Sequence, residues 1–186
     1  RQLTSTLEPE PLLQSILQSA VEILYCEAGS LLMMDPQTDE LVFKVTTGPV
    51  ADELVNFRMP ADRGAVGKAV RTRQPVIVND VSQFQEWFAA IDQKETGFVT
   101  RALLAIPLIV KERVIGVIEV INKKDGTFFS PDDEDLLSAF ASQAAGIIRL
   151  IPAENPRVPG RQFLFHPVGC KGGVLGQAAL GRHPDL

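Results

Sequence analysis

The chain has 186 residues, 45% hydrophobic and 22% charged, a balance that suits one globular domain able to bury a core of its own. Its net charge of −5, with no Lys/Arg-rich run and no apolar run of bilayer length, argues against nucleic acid, an acidic membrane surface or membrane insertion. The two cysteines, Cys26 and Cys170, lie far apart without CxxC or CxxH spacing, which points to a reduced, cytoplasmic protein rather than a disulfide scaffold or a zinc site.

Taken in chain order, residues 8–26 (EPEPLLQSILQSAVEILYC) set Leu13, Ile16, Leu17, Ala20, Val21 and Leu24 on one face at helical spacing. Pro11 is compatible with a first turn, and the expected helix ends at Cys26. Residues 30–34 and 41–45 read as short strands, and the turn chemistry of DPQTDE between them makes a hairpin. GAVGKAVRTRQ, from Gly64, reads as a short helix opened by glycine. PVIVND follows as a short strand, and residues 81–94 read as a helix carrying Phe84, Trp87 and Phe88.

ALLAIPLIV and RVIGVIEVIN are the most strand-like runs, joined at Lys111-Glu112-Arg113 into a second hairpin. Glu119 interrupts the second run and is expected to face a pocket or solvent. From residue 131 to 151, Leu136, Leu137, Phe140, Ala144, Ile147, Ile148 and Ile151 recur at helical spacing. The order of elements predicts an α+β domain over residues 1–151: an antiparallel sheet of about six strands with helices on its faces. Residues 152–186, rich in Pro and Gly and holding both histidines, read as a linker or poorly ordered tail.

The segment NKKDGTFFSPDDEDLL, residues 122–137, concentrates acids between the last strand and the last helix. Ser130 before Pro131 is a helix start, with Ser as N-cap and Pro at the first helical position. Asp132, Asp133 and Glu134 then fall where the helix dipole favours negative charge. Asp133 can also reach back to the Ser130 backbone as a variant capping box. Consecutive acids on a helix start fan outwards, so neither a metal site nor a catalytic carboxylate pair is expected.

Three ordered blocks resemble one family. Asn122-Lys123, Phe129 and Asp133-Glu134 match the N-K-x(n)-F-x3-D-E signature of GAF domains, in the subgroup found in cyclic-nucleotide phosphodiesterases and bacterial cyclases and sensors. TGFVTRALLAIPL, residues 96–108, is similar to that subgroup's T-G-x-x-T-x-x-L-L-x-x-P, and RGAVGKAVRTRQPVIVND, residues 63–80, to its G-x-x-G-x-[AV] helix and following strand. The resemblance covers about residues 10–150. It implies a GAF/PAS-like fold and an ion pair of Lys123 with Asp133 that fastens the last strand to the last helix without touching a ligand.

The resemblance also implies pocket positions: Ser30 on the first strand, Thr96 and Thr100 of the T-G-x-x-T block, Glu119 on the final strand, and the backbone N–H groups at Gly64, Ala65 and Val66, where a helix N-terminus can hold a phosphate. A cyclic nucleotide, cGMP or cAMP, is the ligand class it suggests. Two departures stand against a purine: Thr46 and Thr47 occupy positions where nucleotide-binding members place an aromatic and an Asp, and Asp92 sits one residue out of place. Losing a base-stacking aromatic costs roughly 1–3 kcal/mol, judged from base stacking in protein–nucleic acid complexes. The alternatives are another small ligand, or no ligand and a dimerising module.

Relatives of this fold that reduce methionine sulfoxide use several pocket cysteines, and no attacking and resolving pair is evident here. A non-catalytic regulatory domain is therefore expected, dimeric through its first and last helices. Since the chain opens on Arg1, it is expected to be cut from a multidomain signalling protein. A small ligand would order a pocket lid at about residues 81–96 and bias the terminal helices.

Overall fold

The computed structural model describes residues 9–86 and 97–151. The elements are α1 (Pro9–Ile23), β1 (Cys26–Asp35), β2 (Glu40–Thr47), α2 (Ala51–Leu54), β3 (Arg58–Pro60), α3 (Gly64–Thr72), β4 (Val76–Val78), a 3-10 turn (Val81–Gln83), β5 (Leu103–Val110), β6 (Arg113–Lys123) and α4 (Pro131–Ile148). The strands form one six-stranded sheet in the order β3-β2-β1-β6-β5-β4. All its pairings are antiparallel, and the expected α+β architecture is observed. The elements all lie within residues 9–151, and residues 152–186 are outside the described set.

Side chains alternate across the sheet and divide the core in two. On one face, Leu31, Leu104, Ile106, Ile118 and Val120 pack with Leu13, Leu17 and Ala20 of α1 and Leu137, Ala141 and Ala144 of α4. On the other, Leu32, Leu103, Ala105 and Val117 pack with Ala65, Val66 and Ala69 of α3. Leu17, Leu31, Leu104 and Ile118 are fully buried, each stabilising by about 1.5–3 kcal/mol relative to exposure. Gly29 faces α1: a Cβ there would lie 2.6 Å from Val21 Cγ2 and 3.1 Å from Leu17 Cδ1. Glycine at this strand position is what lets α1 close on the sheet.

Several sequence expectations need correction. The first helix stops at Ile23, because Tyr25 adopts a left-handed φ of 55°. Cys26 is therefore not at a helix end but opens β1, opposite Lys123. The helix expected over residues 81–94 is not present in its described part. Asp80 Oδ1 accepts from Ser82 N at 2.9 Å and Ser82 Oγ at 2.6 Å, closing a local turn that competes with helix. Residues 84–86 are not helical, and residues 87–94, including Trp87 and Phe88, lie outside the described residues. β3 and α2 had no expectation at all. β3 is a three-residue edge strand whose Arg58 bonds Asp35 and Glu40 of the neighbouring hairpin.

The fastening between β6 and α4 is fully formed. Lys123 Nζ donates to both carboxylate oxygens of Asp133 at 2.9 Å, with the two side chains only 15% and 14% exposed. Asp133 also accepts from Ser130 N at 2.9 Å, and Ser130 Oγ accepts from Asp133 N at 3.3 Å, a reciprocal capping box with Pro131 in the first turn. Phe129 is buried in the α1/α4 core. Asn79, past the end of β4, accepts from Phe129 N at 2.7 Å and donates to Phe129 O at 3.2 Å. Glu134 contributes its backbone N–H to Ser130 O, and its side chain adds no hydrogen bond among the described residues.

Burial raises the Asp133 carboxyl, but the bonds from Lys123 and Ser130 outweigh it and hold it below the usual carboxylate range. The stability this contributes is present at neutral pH and is lost as pH falls through the depressed value. Lys123→Ala leaves a mostly buried carboxylate without its cation and is expected to destabilise by about 1–3 kcal/mol at pH 7. Thermal unfolding at pH 7 and again in the acid range should show the deficit shrinking as Asp133 protonates.

Candidate functional site

Antiparallel register assembles a polar row on the α3 face. Thr46 of β2 lies opposite Ser30 of β1, Ser30 opposite Glu119 of β6, and Glu119 opposite Ala105 of β5. Directly opposed residues share a face, with Cβ atoms about 5 Å apart. Ser30 is 1% exposed, while Thr46 and Glu119 are each 7% exposed, so three polar side chains stand in a layer otherwise filled by Leu32, Ala65, Val66, Leu103 and Ala105.

Their bonding states differ. Thr46 Oγ1 donates to Ala51 O at 2.8 Å, at the start of α2, so its hydroxyl proton is committed. The side chains of Ser30 and Glu119 have no hydrogen-bond or ionic partner among the described residues. Burial alone, with no cation to offset it, pushes the Glu119 carboxyl up to about 7. The pair is an adaptable hydrogen-bonding surface: near neutral pH Glu119 exists in both protonation states, and it either donates or accepts.

Helix α3 begins over the same face. Gly64 takes a φ of 66°, a left-handed conformation at no steric cost for glycine, which turns the chain into the helix. Gly64, Ala65 and Val66 are buried, and no side chain caps the helix, so its first amides are free of a capping side chain. A helix start of this kind favours an anion. Thr100 is half-buried on the segment entering β5.

Not every expected position joins this row. Thr47 is one residue past Thr46, so alternation turns it to the opposite face, where Thr47 Oγ1 donates to Gln18 Oε1 of α1 at 2.8 Å. Gln14 of α1 reaches the Thr46 carbonyl at 3.4 Å. The expectation of Thr47 as a pocket residue is corrected accordingly. Asp92 and Thr96 lie outside the described residues. Asn122, Lys123, Phe129 and Asp133 sit at the end of β6 and the start of α4, past Glu119, and form the fastening. Cys26 is buried, and burial pushes its thiol up to about 12, so it stays protonated and inert.

No group of three His, Cys, Asp or Glu side chains suited to a metal ion occurs among the described residues. Nor is any described helix long and apolar enough to cross a membrane. The sequence model of the GAF domain matches residues 6–149. The chain belongs to the GAF domain family. This GAF domain is 36% identical over 144 residues to the bovine (Bos taurus) cone cGMP-specific 3',5'-cyclic phosphodiesterase subunit alpha', a match covering 72% of this chain and 17% of that protein. It is 27% identical over 135 residues to the probable 3',5'-cyclic phosphodiesterase pde-5 of Caenorhabditis elegans, covering 68% of this chain and 18% of the relative. The chain thus spans less than a fifth of the length of these relatives. Among solved structures, the GAF domain of a Coxiella burnetii phosphoenolpyruvate-protein phosphotransferase superposes with a TM-score of 0.69 at 20% identity, covering 78% of this chain and 84% of that one, a likeness of fold.

Buried without a countercharge, Glu119 makes this GAF domain less stable as pH rises. The folded state keeps the proton to about pH 7, whereas the unfolded chain releases it near the ordinary value of 4.5, so stability falls across that window and then levels off. Glu119→Gln removes the ionisation. Urea unfolding is expected to show the variant more stable than wild type by about 1–3 kcal/mol at pH 8 and nearly equal to it at pH 4.

Proposed function

We propose that this chain is a non-catalytic regulatory domain that binds a small molecule between the β-sheet and α3, and that a cyclic nucleotide is the ligand. The observation that carries the reading is the pair of buried, unpartnered side chains Ser30 and Glu119 on the face over which α3 begins. No fully enclosed side-chain nitrogen or oxygen among the described residues lacks a hydrogen-bond partner, so the oxygens of Ser30 and Glu119 keep a little open surface and stay within reach of an added molecule. A ligand offering hydroxyl and ring hydrogen-bonding groups supplies both side chains with partners. In this reading Ser30 and Glu119 take the ribose or base and the amides of Gly64, Ala65 and Val66 take the cyclic phosphate. Thr46 and Thr100 complete the rim.

The relatives' names support a cyclic nucleotide over other anions, since they are phosphodiesterases of such compounds. Signal would leave through both terminal helices. Gln14 and Gln18 tie α1 to Thr46 and Thr47, and Lys123 ties β6 to α4. Catalysis of nucleotide turnover would belong to segments outside this domain, and a cytoplasmic setting follows from that role.

A specific observation favours a second reading, a homodimerising module that needs no ligand. Leu12 and Ile23 of α1 and Leu136 of α4 are exposed, and Phe140 and Ile147 of α4 are only partly buried, leaving apolar groups on the outer sides of two neighbouring helices. Thermal unfolding with cGMP or cAMP separates the readings. At about 100 times Kd, a bound nucleotide adds about 2.7 kcal/mol and raises Tm by about 5–10 °C, and combined Ser30→Ala and Glu119→Ala replacements abolish the rise. A Tm unmoved by either nucleotide, with a dimer in sedimentation, would instead establish the second reading.

A further inference from the structure

We propose that Glu27 and Arg101 are positioning residues for this site, acting through Asn122 to set where Thr100 stands relative to Ser30 and Glu119. The proposal rests on the nucleotide-binding reading for its affinity arm alone. Asn122, 1% exposed and with a left-handed φ of 54°, uses all four of its side-chain hydrogen-bonding positions. Its Oδ1 accepts from Arg101 N at 2.8 Å and Ala102 N at 3.1 Å. Its Nδ2 donates to Val99 O and to Glu27 Oε2, each at 2.8 Å. Arg101 Nη2 then donates to Glu27 Oε1 at 2.6 Å, which closes a ring of bonds. Arg101 O also accepts from Val81 N at 3.0 Å, so the start and end of the long excursion between β4 and β5 meet at this residue.

Thr100 lies between the two residues pinned by Asn122, Val99 and Arg101. The anchors sit on the strands that carry the polar pair: Glu27 is three residues before Ser30 on β1, and Asn122 three residues after Glu119 on β6. The ring therefore fixes the Thr100 segment against the same two strands that present Ser30 and Glu119. Burial raises the Glu27 carboxyl, and the bonds from Asn122 and Arg101 overcome this and hold it ionised, below the ordinary range. The charge pair is half open to water, 56% exposed at Arg101 and 29% at Glu27, so it contributes little to global stability. Its effect is local order.

The test uses Glu27→Gln, Arg101→Ala and the double variant in the whole chain. Glu27→Gln keeps an acceptor for Asn122 and removes the charge pair. In nucleotide-free protein, hydrogen exchange at the Arg101 and Ala102 amides is expected to quicken by roughly 10-fold in each single variant, with Tm within a few degrees of wild type. Calorimetric titration with cGMP is expected to show each single variant binding roughly 5-fold more weakly, with the double variant no weaker than the singles, because all three break one coupled unit. Unchanged exchange overturns the proposal. So does quickened exchange with wild-type cGMP affinity, or a lowered Tm with wild-type affinity, the signature of a merely structural pair. If wild type binds neither cGMP nor cAMP, the nucleotide reading fails separately, and the exchange result alone decides the positioning role.

Discussion

The pairing of β1 with β6 at the centre of the sheet fixes two things at once. The register that sets Ser30 opposite Glu119 also sets Cys26 opposite Lys123, so the polar pair and the fastening of α4 are consequences of a single alignment. A slip of β1 by one residue against β6 would turn Leu32 toward α1 and α4 and Leu31 toward α3. Both core clusters would be lost together, since each draws on both strands. Gly29 is the complementary constraint, because α1 reaches the sheet only where β1 has no side chain on that face.

Electrostatically, the carboxyl within β6 and the carboxyl that meets its last residue are treated in opposite ways. At Asp133, the bonds from Lys123 and Ser130 more than offset burial, and the carboxyl sits low. At Glu119, only four residues before Lys123, burial meets no offset and the carboxyl sits high. The fold thus concentrates its polar bonding at the fastening and leaves Ser30 and Glu119, in the layer beneath α3, without a protein partner among the described residues.

How much of this was legible in the sequence follows from range. The hairpins, the helix start at Ser130-Pro131 and the apolar stripe of α1 are local patterns with periods of two or about four, and each was readable. The Lys123–Asp133 pair spans ten residues and was legible through the spacing of its motif. β3 is three residues long and defined by its partner β2, so no window of sequence marks it. The ring of Glu27, Arg101 and Asn122 joins residues up to 95 apart, and the Asn79 bonds to Phe129 span 50. Neither leaves a periodic trace. Thr47 was misplaced for a different reason. Position in an aligned block was read as position in a pocket, whereas strand alternation sends Thr46 and Thr47 to opposite faces.

That alternation gives the two threonines a joint meaning. Thr46 has its hydroxyl on Ala51 and its carbonyl toward Gln14, while Thr47 has its hydroxyl on Gln18. The end of β2 is thereby held from both sides, by the chain entering α2 on the α3 face and by α1 on the other. An aromatic at Thr46 could not make the bond to Ala51, and an Asp at Thr47 would meet the oxygen end of Gln18 unless that amide turned over. The threonines are therefore matched to α1 rather than interchangeable fillers. Any displacement of Ala51 acts on β2 directly, and β2 acts on α1 through two glutamine side chains one helical turn apart. This short polar path is separate from the Lys123–Asp133 pair that joins β6 to α4, although α1 and α4 pack side by side on the same face of the sheet.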